Sequence, residues 1–234
     1  MSAAPSLDAH AGLMDRVYRP QRHVYDLTRK YYLLGRDRLI ASLALQPGST
    51  LIEIGCGTGR NLIAIARLYP QARLFGLDAS EAMLEMARAK VREAGLEDRI
   101  LLRHGLAEQL SPSAFGIESF DHALFSYFLS MVPDWQGAVF AAVAALAGNG
   151  RWHVVDFADL KGSGFLARRA LMAWLKLFHV TPRVEFLASL EDVSGETGDL
   201  TLLKGRYAFI FRSAPKDFGK VDRLPCCAGT TATP

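Results

Sequence analysis

Cysteine is scarce in this chain of 234 residues: Cys56 stands alone, and Cys226 and Cys227 sit side by side in a stretch rich in Gly, Thr and Pro. Thiols so spaced build neither a disulfide framework nor a metal site, and a reducing cytoplasm suits them. Long apolar runs are missing too. Nothing approaches the ~20 residues that a membrane-spanning helix needs, and Met1 to Ala11 lacks the charged start and apolar middle of a secretory signal. Nor does one sign of charge dominate, since 27 basic against 24 acidic side chains leave a net +3. What the chain does have is apolar content, half its residues, enough for one well-packed domain with extensions.

Strand and helix patterns alternate through the middle. Ser49 to Gly55 reads as a strand, Gly59 to Leu68 as a helix, Arg73 to Asp78 as a strand ending in an acid, and Ser80 to Ala94 as a helix capped by Ser80. Arg99 to His104 and Asp121 to Ser126 read as the next strands. Trp135 to Ala147 is expected as an alanine-rich helix stopped by Gly148-Asn149-Gly150, and Trp152 to Phe157 as a fifth strand. This alternation predicts an α/β fold, a parallel sheet with helices on both faces. Beyond Phe157 the pattern changes: helices over Phe165 to Phe178 and Arg183 to Leu190, then strands over Leu200 to Lys204 and Tyr207 to Arg212. Only Gly205 and Arg206 separate that last pair, so it is antiparallel. Residues 1–45 are expected as a helical lid or substrate segment, 46–213 as the main domain and 214–234 as a loose tail.

The segment Leu51-Ile52-Glu53-Ile54-Gly55-Cys56-Gly57-Thr58-Gly59 joins the first strand to its helix. Glycines there let the backbone take tight dihedrals and approach a ligand closely. A dinucleotide turn would read G-x-G-x-x-G, but the sixth position is Arg60, too bulky for close helix–strand packing. The pattern E-x-G-x-G-x-G, carried by Glu53, Gly55, Gly57 and Gly59, resembles instead the class I S-adenosylmethionine (SAM) methyltransferases. That resemblance implies a Rossmann-like seven-stranded sheet, mostly parallel with a C-terminal antiparallel pair, and SAM as cofactor. Gly55, Cys56, Gly57 and Gly59 would then cradle its methionine portion, with Glu53 near the ammonium group. Asp78, with Ala79 beside it, lies where an acid accepts hydrogen bonds from ribose hydroxyls, although an acid there also caps helices. Leu106 and Ala107 fall at the adenine edge. Many family members carry an acid where Leu106 stands, which leaves the adenine amino contact to backbone atoms or to none. Met83 packs on the adenine ring or in the core.

The run from Tyr18 to Ile40 holds four of the chain's seven tyrosines, and from Asp15 to Arg38 seven basic residues stand against three acidic. Either a solvated helix face or an anionic surface explains such a cluster. As a block, Tyr18-Arg19-Pro20-Gln21-Arg22-His23-Val24-Tyr25-Asp26-Leu27-Thr28-Arg29-Lys30-Tyr31-Tyr32-Leu33-Leu34-Gly35-Arg36-Asp37-Arg38-Leu39-Ile40 resembles the start of the bacterial betaine-lipid N-methyltransferases. The resemblance continues at Phe120 to Trp135, at Val154-Val155-Asp156-Phe157 and at His179-Val180-Thr181-Pro182-Arg183, covering roughly Met14 to Arg212. It implies three successive methylations of diacylglyceryl-homoserine at a membrane surface, from the cytoplasmic side, with the enzyme making the precursor lipid as a partner. Tyr25-Asp26 and the Gly35-Arg36 region are also similar to quinone C-methyltransferases and phosphatidylethanolamine N-methyltransferases.

Methyl transfer is an in-line displacement, so positioning and electrostatics dominate. Tyr25 and Tyr127 are the leading candidates to hold an ammonium by cation–π contact and hydrogen bonding. His23, His153 and Asp156 are candidate proton acceptors, although His153, inside a strand, also reads as a core histidine. Arg19, Arg22, Arg29 and Lys30 suit the homoserine carboxylate or anionic lipids. On the helix Phe165 to Phe178, Arg168, Arg169 and Lys176 share a stripe, and Leu171, Trp174, Leu175 and Phe178 share another. That apolar stripe meets either a bilayer interface or the sheet. No Asn/Asp-Pro-Pro-Tyr/Phe run follows the fourth strand, which reads Ser126-Tyr127-Phe128-Leu129 and disfavours a nucleic-acid substrate. A module that binds SAM or membranes without turnover is the non-enzymatic alternative.

Overall fold

The computed structural model describes residues 33–178 and 180–214. The sequence-predicted Tyr25, His23, Arg19, Arg22, Arg29 and Lys30, most of the proposed 1–45 segment and nearly all of the proposed tail lie outside those residues. Thirteen main elements follow in order: α1 (Arg36–Ala41), β1 (Thr50–Ile54), α2 (Arg60–Leu68), β2 (Arg73–Asp78), α3 (Glu81–Glu93), β3 (Ile100–His104), β4 (Phe120–Ser126), α4 (Trp135–Ala144), β5 (Leu146–Phe157), α5 (Phe165–Leu177), α6 (Val184–Val193), β6 (Gly198–Leu203) and β7 (Ala208–Ser213). Two short 3-10 turns, Ala107–Gln109 and Pro112–Phe115, link β3 to β4.

The strands form one sheet in the order β3-β2-β1-β4-β5-β7-β6. The first five are parallel, and β7 runs antiparallel between β5 and β6. Order reverses between β1 and β4, so the crevice for a ligand opens beyond the carboxyl ends of those strands. Alternation along each strand divides the core into two layers. Ile52 and Ile54 of β1 join Phe75, Phe120, Phe125, Trp152 and Phe186 on one face, whereas Leu51 joins Leu62, Ile65, Leu74 and Leu84 on the other. Ser80 caps α3 as its sequence position predicts, its Oγ accepting from the Met83 N–H at 3.3 Å. Arg99 closes the far end of α2 by donating to the Ala66 and Tyr69 carbonyls at 2.9 and 2.7 Å.

One boundary differs from expectation. The glycines at Gly148 and Gly150 do not stop α4, which ends at Ala144; they lie inside β5, which already begins at Leu146. Phe120 pairs with Leu146 while His122 pairs with Arg151, so the β5 side of the ladder carries the extra residues. A Cβ at Gly150 would come within 3.0 Å of Ala147 O, and only a glycine fits that fold-back.

Candidate functional site

The turn after β1 is built from three glycines that all take the left-handed conformation, with φ of 71° at Gly55, 53° at Gly57 and 74° at Gly59. Each has its own reason for lacking a Cβ. One at Gly55 would overlap the Phe128 ring, and one at Gly59 would press on Ala87 of α3 at 3.2 Å. One at Gly57 would meet nothing within 4 Å, so the turn is open at its middle. The Gly55 and Cys56 amides donate to Leu77 O at 2.8 and 3.1 Å, which pins the turn to the end of β2.

Asp78, the last residue of β2, stitches this turn to the next helix. Its Oδ2 accepts from the Gly57 N–H at 2.7 Å and its Oδ1 from the Ser80 N–H at 2.9 Å. Ala79 O lies 3.0 Å from His104 Nε2 at the end of β3. Met83 is buried in the first turn of α3, and Leu106 and Ala107 are buried where the chain leaves β3. The structure therefore gathers Gly55 to Gly59, Asp78, Ala79 and the adjoining loop at one edge. Cys56 turns inward: burial pushes its thiol well up, and its Sγ would meet a Cβ at Gly76 at 2.8 Å.

Glu53 is buried in β1 with its Oε1 accepting from Asn61 Nδ2 at 2.7 Å, while Oε2 has no partner among the described residues. Burial pushes its pKa up to about 8 against the Asn61 bond and the Arg36 and Arg60 charges. A buried carboxylate oxygen awaiting a donor, beside a turn open at Gly57, fits a ligand carrying an ammonium group. That is the end of SAM which the sequence pattern implied. Asn61 was missed in sequence, although a polar residue two positions past the last glycine is where the first turn of α2 must face Glu53.

On the other side of the crevice stand the ends of β4 and β5. Tyr127 sits at φ 54° with its ring buried, edge-on to Phe157 at 4.7 Å between centroids. Its hydroxyl donates to Leu34 O at 2.6 Å, and burial raises its pKa far above the ordinary tyrosine value. Asp156 binds the loop after β4: Oδ2 accepts from the Ser130 N–H at 3.1 Å and Oδ1 from the Phe157 N–H at 2.7 Å. Burial raises its pKa, and the Ser130 and backbone hydrogen bonds oppose that. His153 lies three residues back from Asp156 on β5, about 10 Å from the edge at the usual strand rise. Its ring stacks on His122 with Nε2 3.1 Å from His122 Nδ1, and burial drops its pKa to about 3. The structure thus places Tyr127 and Asp156, both buried, at the carboxyl ends of β4 and β5 and sets His153 in the sheet interior.

Sequence reading also missed a staple at the same edge. Asp159, just past β5, accepts from Arg206 Nε at 2.7 Å and from another guanidinium nitrogen at 2.8 Å, and Arg206 reaches Glu191 of α6 at 2.8 Å. Burial works to raise the Asp159 carboxyl, but Arg206 and Lys161 carry it down to about 2. The α5 face holding Leu171, Trp174 and Leu175 packs on the protein's own apolar layer, with Leu175 buried and its carbonyl accepting from the Val180 N–H at 3.1 Å.

Residues 51–150 match the family model of a methyltransferase domain. Demethylmenaquinone methyltransferases are similar over part of the chain: that of Geobacillus stearothermophilus is 32% identical over 131 residues, 56% of this chain and 50% of that protein. That of Listeria welshimeri is 30% identical over 128 residues, 54% and 52% of the two chains. The chain thus spans about half the length of the curated relatives it matches. Among solved structures, the SAM-dependent methyltransferase SibL in its apo form superposes with a TM-score of 0.63 at 22% identity, over 83% of this chain and 58% of that one. An O-methyltransferase family 2 protein from Planctomyces limnophilus gives 0.61 at 20% identity, over 83% and 61%. Both carry the same sheet.

Proposed function

We propose that this chain, a SAM-dependent methyltransferase by its domain, fold and glycine turn, methylates the amino group of a lipid headgroup. The acceptor that the resemblance names is diacylglyceryl-homoserine, taken stepwise to its trimethylated betaine form. When bound, SAM supplies an electrophilic methyl group on a sulfonium. The chain's own contribution is placement: Gly57 gives close backbone approach, Asp78 fixes the turn, and Glu53 offers a carboxylate oxygen to an ammonium.

The observation that carries the amine reading lies at the ends of β4 and β5. Phe128, half-buried, is seated on Gly55 with its ring 6.1 Å from that of Phe125, while Tyr127, Phe157 and Tyr207 make a separate set of ring contacts, at 4.7 and 5.7 Å, in the other apolar layer. The Phe128 ring at the turn offers an approaching ammonium an aromatic face, which excludes water and holds a cation by its π electrons. Two titratable groups there, Tyr127 and Asp156, are spent on holding backbone. An amine that arrives unprotonated needs alignment alone, whereas a ring carbon activated through its hydroxyl needs a base. A second reading, C-methylation of a quinone-type ring, draws on the names of the relatives and on the Phe128 ring, whose face suits a flat acceptor. Phosphatidylethanolamine is the nearer alternative acceptor.

Lipid mass spectrometry tests the reading. Purified protein is incubated with SAM, diacylglyceryl-homoserine, phosphatidylethanolamine and demethylmenaquinone together. Gains of one, two and three methyl groups on the homoserine lipid alone are expected. Gain on phosphatidylethanolamine or on the quinone moves the assignment to that acceptor, and SAM binding without gain on any acceptor overturns it.

A further inference from the structure

With Leu171, Trp174 and Leu175 turned to the core, α5 presents a second apolar line outward. Leu166, Ala170, Ala173 and Leu177 are spaced i, i+4, i+7 and i+11, so they align along one side of the helix. All four are exposed, and Leu166 and Leu177 keep 79% and 77% of their surface open. Beside this ridge lie Arg169 and Lys176, with the Arg169 guanidinium over the exposed Phe165 ring at 5.6 Å. The helix carries three basic side chains and not one acid. Scattered exposed leucines mean little, but an aligned ridge with a basic flank is a surface of defined chemistry.

Charge selects the occupant. A second copy would set α5 against an equally basic α5, and like charges in close apposition repel. Residues 1–32 of this chain are also net basic, with five basic against three acidic side chains. An anionic bilayer complements the helix: leucines enter the acyl boundary while Arg169 and Lys176 reach headgroup phosphates by their flexible stems. We infer that the Leu166–Ala170–Ala173–Leu177 ridge of α5 docks this protein on an anionic lipid surface. Since α5 follows the carboxyl end of β5, and its inner face shares an apolar layer with Tyr127, docking would set the crevice beside the bilayer. The inference deepens the proposed lipid acceptor and rests on it only for purpose, because lipid binding is read without methyl transfer.

The test is sedimentation of the full chain with vesicles of phosphatidylcholine, with or without phosphatidylglycerol, for wild type, L166S/L177S, R169Q/K176Q and L68S. Leu68 is an exposed leucine away from the ridge, 51% open on α2. Wild type and L68S should bind phosphatidylglycerol vesicles and release them at about 0.5 M salt. L166S/L177S should lose roughly tenfold or more in affinity, and R169Q/K176Q should lose the preference for phosphatidylglycerol. Unchanged thermal melting shows that the variants fold, and calorimetry with SAM separates this surface from the crevice: failure to bind SAM would sink the proposed function and leave the ridge standing. Wild-type-like vesicle binding by L166S/L177S overturns the inference. So does a dimer, by light scattering, that the same substitutions dissolve.

Discussion

Replacing Glu53 by glutamine should uncouple this protein's stability from alkaline pH. In the folded chain burial holds the Glu53 pKa at about 8, against an ordinary 4.5. A folded pKa above the unfolded one means that the native state keeps its proton over the interval. The associated stability is complete below about pH 4.5 and is lost progressively as pH rises to about 8. At about 1.4 kcal/mol per pH unit, the whole loss is on the order of 5 kcal/mol. A glutamine at this position never ionises, so the E53Q variant should gain on wild type by several kcal/mol between about pH 5 and pH 9, read by urea unfolding at each pH. Subtracting the two curves cancels the opposite contributions of His122 and His153, whose pKa values burial lowers. The same proton should appear in calorimetry with SAM. Wild-type Glu53 gives it up at about pH 7 as an ammonium settles beside Oε2, so the heat depends on the ionisation enthalpy of the buffer, while that of E53Q does not. Parallel stability curves for the two proteins would refute the reasoning.

Asp78→Ala removes the acceptor for the Gly57 and Ser80 amides, and SAM affinity should fall tenfold or more by calorimetry; an unchanged value would take Asp78 out of the site. Tyr127→Phe deletes the donor to Leu34 O and should cost about 1 kcal/mol in urea unfolding while SAM binding persists. Loss of SAM binding with stability intact would assign the hydroxyl to the cofactor instead. Arg206→Ala removes two charge-assisted hydrogen bonds and leaves the Asp159 carboxylate to Lys161, whose Nζ lies 3.2 Å away, so about 2 kcal/mol of stability should go with it. The double variant D159N/R206A should recover part of that loss, and no recovery would contradict the pairing.

What could be read from sequence was local. β2 runs from Arg73 to Asp78 in both readings because its apolar run is bounded by charge on each side, and Ser80 caps α3 because its hydroxyl serves the nearest free amide. The glycine turn was legible since only a ligand-approaching backbone needs φ above zero at three alternate positions. Glycine alone is ambiguous, however: Gly148 to Gly150 served equally as a helix stop or as a bulge, and only the pairing of β4 with β5 decides. Asp159 and Arg206 stand 47 residues apart, and a tertiary pair leaves no periodic trace. Periodicity likewise found two faces on α5 without saying which met the core, and it passed over the Leu166–Leu177 line because two alanines interrupt it.

The position of β7 has a consequence for synthesis. Chains emerge amino end first, yet among the described residues the strand made last is not the last in space: β7 lies between β5 and β6. Until residues 208–213 are available, the growing chain shows β5 with a free edge along Val155 and Phe157, and β6 with no neighbour at all. Such an edge is a template for pairing with another nascent chain. The insertion of one strand therefore covers the β5 edge and moves the sheet's boundary out to β6.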